Sequence, residues 1–354
     1  MRLMDSYRLT RAIAGGFALS LALCSGAAHA QDKAQDKAQD KTYVMKITTP
    51  TINDGPHLLA KNFAAAVERD SGGRIRGEVY PASQLGSIPR QIEGVQFGAI
   101  QVAVVPPEFF VGVDERFEVM AAPGLVNSLE HGQRLAADPA VLKLMLGLGA
   151  NKGLHGAGMF MVQPDSLASK TPMRNLADFK GKKIRIFASD FQSEALKRLG
   201  ATPVAMTLGD VLPALQQGAI DGAIAGITAF SAFHYQDAAK YITEINQPAI
   251  FLMIEISKTW YDSLPADLQK VIDKDAAAES VAINPAALAL FNKARETWTA
   301  GGGELISLSP ADQAKFMQTI ASVGEDVSQP KPGLHDAYEI VAEAAKRTAQ
   351  GATQ

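Results

Sequence analysis

Residues 43–80 read YVMKITTPTINDGPHLLAKNFAAAVERDSGGRIRGEVY, which is one strand–helix–strand unit. Residues 43–48 and 75–80 are rich in β-branched and aromatic side chains and predict its two strands. Between them, Asn53-Asp54-Gly55-Pro56 is typical of a helix start, because a capping side chain precedes a proline in the first turn. The helix that follows has apolar residues at a spacing of four, at Leu59, Phe63 and Val67. A unit of this kind predicts an α/β domain with a mostly parallel sheet.

The same alternation of strands and helices continues along the chain. Further strands are expected at residues 101–105, 157–162, 183–187, 219–225 and 249–256, and further helices at 89–97, 128–148, 191–199 and 208–217. A long helical pattern runs from Pro265 towards Trp298, and Asn284-Pro285 is expected to kink it or end it locally. A helix of this length would lie across both halves of the protein, and the run 249–256 would lead the chain back to the first domain.

The composition sets the class of protein. The chain has 354 residues, of which 47% are hydrophobic and 20% are charged, so it is too apolar to be disordered and too long for one typical core. We therefore expect two domains. The 34 basic residues do not exceed the 37 acidic ones, and the net charge is −3. Without a basic excess, nucleic acid is not an expected partner.

The first thirty residues predict a secretory signal peptide. Three arginines precede an apolar run from Ala12 to Leu23, and Ala28-His29-Ala30 has the small residues that signal peptidase requires. The alternatives are an uncleaved anchor, for which the apolar run is short, and a lipoprotein attached through Cys24. A lipoprotein signal has a small residue before the cysteine, whereas this chain has Leu23. We expect cleavage after Ala30, export to the periplasm, and a low-complexity tether at residues 31–41.

The exported chain would carry no recognisable reaction chemistry. Cleavage removes Cys24, which is the only cysteine, so a cysteine nucleophile, a thiolate metal site and a disulfide are excluded. The remaining histidines lie more than four residues apart, which excludes a zinc site built from two histidines on one helix turn. The chain also lacks the short motifs of P-loop, metalloprotease and serine hydrolase sites. We therefore expect neither an enzyme nor a bound metal or cofactor.

Arg185 is the main candidate for ligand binding. In the predicted strand 183–187, alternation places Ile184 and Ile186 on one face and Arg185 with Phe187 on the other. An arginine late in such a strand lies where open α/β sheets hold ligands, and its planar guanidinium can bind a carboxylate through two hydrogen bonds. The alternative is an ordinary structural salt bridge.

Several motifs, in this order and spacing, resemble those of the periplasmic solute-binding subunits of tripartite ATP-independent periplasmic (TRAP) transporters, the DctP-like family. The resemblance covers about residues 43–336. Its marks are Ser71-Gly72-Gly73-Arg74-Ile75, the run Val79 to Gly86 (VYPASQLG), the run Phe179 to Ile186 (FKGKKIRI), the run Leu199 to Val204 (LGATPV), the run Ala214 to Gly218 with Ile220-Asp221-Gly222, and Leu264-Pro265.

The resemblance implies a fold, a function and partners. The fold would be α/β, with two domains of the periplasmic-binding-protein type, crossing hinge strands and a long helix spanning both domains. We expect domain I at 42–162 plus 251–290 and domain II at 163–250 plus 291–340. The protein would capture a small organic acid by hinge closure and deliver it to the TRAP membrane permease. The alternatives are a subunit that feeds a periplasmic sensor, or a periplasmic enzyme.

The resemblance also implies which residues hold the ligand. Arg185 would bind the carboxylate, and the other expected ligand-binding residues are Thr49, Phe109, Phe187, Leu208, Ala225, Phe230 and Leu252. Two departures from the family matter. Ala225 stands where the family commonly has asparagine, and residues 157–165 lack the second arginine of many acid binders. We therefore expect a monocarboxylate with an apolar or aromatic body, held by Phe109, Phe187 and Phe230, unless these aromatic rings belong to the domain cores.

Overall fold

The computed structural model describes residues 41–349. The predicted signal peptide, and the predicted tether except for its last residue, lie outside the described residues. Within the described part, the chain forms two sheets covered by helices, which is the two-domain α/β architecture expected from the sequence. No helix in this part is long and apolar enough to cross a membrane.

Strands and helices alternate from one end of the described region to the other. The strands are β1 (Tyr43–Thr48), β2 (Ile75–Tyr80), β3 (Val102–Val105), β4 (Leu154–Pro164), β5 (Ser166–Ser169), β6 (Lys183–Ile186), β7 (Thr202–Ala205), β8 (Gly222–Ala225), β9 (Tyr241–Glu244), β10 (Ala249–Ser257) and β11 (Glu304–Ser307). The helices are α1 (Gly55–Asp70), α2 (Ile88–Gln96), α3 (Leu129–Ala136), α4 (Pro139–Gly147), α5 (Asp190–Arg198), α6 (Leu208–Gln217), α7 (Ile227–Ala232), α8 (Lys258–Asp262), α9 (Ala266–Ala282), α10 (Asn284–Ala300), α11 (Pro310–Ile320), α12 (Val323–Ser328) and α13 (Pro332–Ala349).

The predicted start of α1 is confirmed by its cap. Asp54 precedes the helix in extended conformation, and its side chain accepts a hydrogen bond from the backbone N–H of His57 at 3.3 Å. By contrast, the single helix predicted for residues 128–148 is wrong, because the structure has α3 and α4 there. Asp138 takes an extended backbone before Pro139, and its carboxylate caps the second helix. A proline restricts the residue before it to such conformations, so a new helix starts at Pro139.

The first sheet has the order β2-β1-β3-β10-β4. Strands β1, β2 and β3 are parallel, as the opening strand–helix–strand unit predicts. Strand β10 returns from much later in the chain and lies antiparallel between β3 and β4. Both faces of β10 are buried, with Ile250 and Leu252 in one core and Phe251 and Met253 in the other. A central strand covered on both sides explains why its sequence is continuously apolar.

The second sheet has the order β11-β9-β5-β8-β6-β7. Here β5 is the antiparallel member, between β8 and β9. The chain passes between the sheets in extended conformation twice, from β4 into β5 and from β9 into β10, and again through the helices that separate β10 from β11. The two extended passages lie side by side, because the N–H of Asp165 donates to the carbonyl of Pro248 at 3.0 Å. Two adjacent crossing segments form the hinge strands that the sequence resemblance implies.

Helices α9 and α10 follow one another across the molecule. The predicted break is confirmed, since α9 ends at Ala282 and Asn284-Pro285 starts α10. Helix α9 packs on β4 and α1, whereas α10 packs on β4 of the first sheet and on β11 of the second. This pair of helices therefore links the two halves. The exact domain boundaries expected from the sequence stay a prediction.

Candidate functional site

A cavity lies where the carboxyl ends of strands from both sheets meet. The cavity has a volume of about 60 Å³. Most of its lining is apolar, with Pro50, Pro56, Ile88, Pro106, Phe109, Val162, Phe187, Leu208, Ala225, Ala229, Ile250 and Leu252, and its polar side chains are Thr51, Asp54, Gln163, Arg185 and Thr228. Ligands of open α/β sheets bind at this end of the strands. The cavity is therefore the candidate binding site.

Strand β6 presents Arg185 to this cavity. The side chains of Ile184 and Ile186 are buried in one core, whereas Arg185 and Phe187 both line the cavity. The alternation predicted from the sequence is confirmed. It explains how a short strand can place a cation at the site while anchoring itself through its two isoleucines.

The guanidinium of Arg185 is held rigidly. The residue is 1% exposed, its Nε donates to the carbonyl of Met206 at 3.0 Å, and its Nη1 donates to the carbonyl of Ile224 at 2.8 Å. Its central carbon lies 4.8 Å from the ring centroid of Phe187, a cation–π arrangement. Within residues 41–349, no group accepts a hydrogen bond from Nη2. The contacts thus fix the plane of the guanidinium group and leave Nη2 available to a ligand.

Asp165, the carboxyl group that acts on Arg185, does not neutralise it fully. Burial raises the pKa of Asp165 to about 8, although the charge of Arg185 and a hydrogen bond from Gln192 both lower it. Burial likewise raises the pKa of Glu108 to about 8, and repulsion from Asp165 adds to the effect. Burial lowers the pKa of Arg185 to about 10, so the guanidinium stays protonated at neutral pH. Arg185 is therefore a buried cation, and the carboxyl group that acts on it, Asp165, is mostly neutral at neutral pH, which favours an incoming anion.

Gln163 and Thr228 form another part of the cavity wall. The side-chain amide of Gln163, in β4, donates to Thr228 Oγ1 at 2.6 Å. The same amide approaches Gly226 so closely that a Cβ placed there would lie 2.1 Å from Nε2. Gly226 has a φ of −76°, which any residue adopts. A glycine is therefore required here because no space is left for a side chain. The absence of a side chain at Gly226 lets the second sheet approach β4.

Two aromatic rings meet across the cavity. Phe109 follows β3 of the first sheet and Phe187 follows β6 of the second, and their ring centroids are 5.5 Å apart in a tilted arrangement. An aromatic pair in such an arrangement stabilises the contact by more than its buried apolar area alone accounts for. The pair joins the two halves, and the Phe187 ring also faces the guanidinium of Arg185.

Six of the eight ligand-binding residues expected from the sequence line the cavity: Phe109, Arg185, Phe187, Leu208, Ala225 and Leu252. Thr49 does not, because its side chain is buried and its hydroxyl donates to the carbonyl of Thr51 at 2.8 Å. Phe230 does not either. Its ring is fully buried, with its centroid 5.2 Å from that of Tyr235 and 6.5 Å from that of Trp298. For Phe230, the alternative of a core residue agrees with the structure.

Four polar residues of the wall were not predicted from the sequence: Thr51, Asp54, Gln163 and Thr228. The position of Asp54 before a helix predicted a helix cap, but it did not predict a place in the cavity wall. Gln163 lies one residue beyond the strand predicted at 157–162, and nothing in the sequence connects it with Thr228. Among residues 41–349, no group of three or more histidine, cysteine or acidic side chains is arranged to hold a metal ion.

Known proteins resemble the chain over most of its length. The family model described as bacterial extracellular solute-binding protein, family 7 (DctP), matches residues 49–329. A curated relative, the C4-dicarboxylate-binding periplasmic protein DctP of Rhodobacter capsulatus, is 27% identical over 330 residues, which are 92% of this chain and 95% of the relative.

Solved structures show the same fold. A TRAP periplasmic solute binding protein from Desulfovibrio salexigens, with bound orotic acid, superposes with a TM-score of 0.82 at 21% identity, covering 87% of this chain and 100% of that one. A TRAP periplasmic solute binding protein from Shewanella oneidensis, with bound succinate, gives a TM-score of 0.79 at 25% identity and covers 86% of this chain and 99% of that one. The likeness to the Desulfovibrio salexigens protein, at 21% identity, shows a shared fold and nothing more.

Proposed function

The chain belongs to the DctP family of bacterial extracellular solute-binding proteins, and from this premise we propose that it is the periplasmic receptor of a TRAP transporter. The receptor captures a small organic acid and delivers it to the integral membrane subunits of the transporter. The chain is exported to the periplasm, and signal peptidase cleaves it after Ala30. A binding role suits this family better than an enzymatic one.

The observation that carries this proposal is the buried, rigid guanidinium of Arg185 in an otherwise apolar cavity. Removing a cation from water without an ionised partner is costly, and a bound carboxylate offsets that cost through charge-assisted hydrogen bonds. Of the cavity-lining residues, which all lie in the described region, Arg185 is the single cation. The site is therefore suited to one carboxylate.

The remaining wall supports a ligand with an apolar body. The apolar side chains of the wall include Phe109, Phe187, Leu208 and Leu252. A ligand that contacts them removes apolar surface from water, which favours binding. The compared structures hold succinate and orotic acid, which are more polar than an acid with an apolar body. We propose that this receptor differs from them and prefers a monocarboxylate with a branched or aromatic body.

A thermal-shift screen of residues 31–354 against organic acids tests the proposal. A ligand at about 100 times its dissociation constant adds about 2.7 kcal/mol to the free energy of unfolding, which raises the melting temperature measurably. Branched and aromatic monocarboxylates are expected to raise it more than succinate or malate do. The reverse ranking would contradict the apolar preference, and a melting temperature that no acid changes would contradict the receptor function.

A further inference from the structure

Thr228 carries a hydroxyl whose proton has no acceptor within residues 41–349. Its Oγ1 accepts a hydrogen bond from Gln163 Nε2 at 2.6 Å, and no carbonyl or carboxylate of the described residues accepts one from this hydroxyl. Thr228 is 6% exposed and lines the cavity. A buried donor without an acceptor is unfavourable, so the hydroxyl is suited to a partner that enters the cavity.

The amide of Gln163 determines how this hydroxyl can bond. The backbone N–H of Thr228 donates to Gln163 Oε1 at 3.4 Å, and turning the amide over would place a second donor against that N–H. Nε2 therefore faces the hydroxyl, and an amide nitrogen can only donate. Since Oγ1 is the acceptor in this contact, its own proton points away from Gln163.

The groups around Thr228 do not take up this proton. A threonine in a helix can donate to the carbonyl four residues earlier, but for Thr228 that residue is Ile224 in β8, before the helix begins. The carbonyl of Ile224 already accepts from Arg185 Nη1 at 2.8 Å. Asp54, the one acidic side chain among the lining residues of the described region, caps α1. The direction left to the proton is the cavity.

Arg185 and Thr228 are held by one short segment, residues 224–228. Nη1 of Arg185 binds the first carbonyl of this segment, and Thr228 is its last residue. Ala225 and Gly226, between them, line the cavity but have no side-chain donor. Within the described residues, Nη2 of Arg185 also lacks an acceptor. The two oxygens of a carboxylate can accept from two such donors at once.

We propose that Thr228 is a ligand-binding residue, which donates a hydrogen bond to the carboxylate that Arg185 holds, and that Gln163 is the positioning residue that turns the hydroxyl towards it. This inference rests on the proposed function and adds a neutral donor to the cation of the same site. A neutral donor strengthens the hold on one carboxylate without attracting a second one.

The arrangement also couples the ligand to the contact between the two sheets. Gln163 belongs to β4 of the first sheet, whereas Thr228 follows β8 of the second. A hydroxyl that donates to an anion becomes a stronger acceptor, because hydrogen bonds in a chain polarise one another. The bound carboxylate therefore strengthens the hydrogen bond between Gln163 and Thr228.

Isothermal titration calorimetry of residues 31–354 tests the inference. The probes are benzoate, 4-methylpentanoate, succinate and the acid with the largest shift in the thermal-shift screen, and the tightest binder is used throughout. Thr228→Val is expected to weaken its binding about tenfold or more, the equivalent of one hydrogen bond to a charged group. Thr228→Ser keeps the hydroxyl and should keep an affinity close to that of the wild type.

The control is Thr243→Val, which removes another buried hydroxyl of the second sheet. The hydroxyl of Thr243 donates to the carbonyl of Met173 at 2.8 Å, and Thr243 does not line the cavity. This variant should lower the free energy of unfolding in urea and leave the affinity unchanged.

Two double-mutant cycles separate binding from packing. The losses from Arg185→Lys and Thr228→Val should not add, because both side chains hold the same carboxylate. Gln163→Met should weaken binding when the Thr228 hydroxyl is present and have no further effect in the Thr228→Val variant. The double variant Gln163→Met, Thr228→Val leaves no unpaired amide, so it reports the loss of the hydroxyl if Thr228→Val alone folds poorly.

The outcomes distinguish this inference from the receptor function. Wild-type affinity in Thr228→Val, or strictly additive losses with Arg185→Lys, overturns the role of Thr228 and leaves the receptor intact. An equal effect of Gln163→Met with and without the hydroxyl overturns the positioning role. If the wild-type protein binds none of the acids, both proposals are overturned.

Discussion

At the scale of single residues, the guanidinium of Arg185 is prepared for its ligand before the ligand arrives. Two backbone carbonyls and the ring of Phe187 orient it, so binding costs little side-chain entropy. Asp165, the carboxyl group whose charge acts on Arg185, is mostly protonated at neutral pH because burial raises its pKa to about 8. A carboxylate therefore finds a fixed and incompletely neutralised cation.

The variant Arg185→Ala should weaken acid binding by about ten- to a hundredfold, because it removes charge-assisted hydrogen bonds worth about 1.5–3 kcal/mol. Isothermal titration calorimetry with the best acid from the thermal-shift screen measures the change. Arg185→Lys keeps the charge but loses the planar fork, so it should recover part of the affinity. An Ala variant that binds as tightly as the wild type would show that the carboxylate lies elsewhere.

At the scale of elements, the junction between β8 and α7 approaches β4 through one glycine. Gly226 leaves room for the amide of Gln163, which in turn binds Thr228 at the start of α7. This hydrogen bond joins the wall of the cavity to one of the two crossing strands. The packing of the site and the position of the crossing strand therefore depend on each other.

Gly226→Ala should destabilise the protein by about 1–3 kcal/mol, because its Cβ would overlap the amide of Gln163 and displace it. Urea unfolding monitored by circular dichroism measures the loss, and acid binding should weaken as well. Gly209→Ala, in the first turn of α6, is the matched control, since a Cβ there meets nothing within 4 Å. It should be neutral or stabilising by up to about 1 kcal/mol. Equal effects of the two substitutions would contradict this account.

Local elements could be predicted from the sequence, and long-range pairing could not. The bounds of β1, β2 and α6 agree with the structure, because apolar periodicity and capping are local signals. Nothing local reveals that β10 inserts between β3 and β4. The residues of the candidate site differ in the same way, since some could be predicted from local sequence and others could not. Alternation identified Arg185 and Phe187, whereas Asp54 and Gln163 join the cavity only through tertiary packing.

At the scale of the whole molecule, the two sheets meet through few continuous segments. The chain crosses at Asp165 and at Pro248, helix α10 packs on both sheets, and Phe109 contacts Phe187 across the cavity. Rigid units joined by a small number of crossing segments are suited to hinge motion, in which a ligand stabilises the closed arrangement.

Small-angle scattering should therefore show a smaller radius of gyration when a saturating acid is added to the wild-type protein. The physical reason is that a ligand held by both halves shifts the population towards the closed form. Arg185→Ala at the same ligand concentration is the control and should change less. If calorimetry shows saturation while the radius stays constant, closure does not accompany binding.

The position of β10 has a consequence for how the protein reaches its native state. A chain made from its N-terminus completes β1 to β4 long before residues 249–257 exist, yet β10 is the strand that joins β3 to β4. Until then the first sheet is split, with β4 lacking its neighbour. Pairings so distant in sequence form slowly, since loop closure comes before the gain from contact. The first sheet is therefore completed only after residues 249–257 have been made, whereas strands β5 to β9 of the second sheet precede them in the chain.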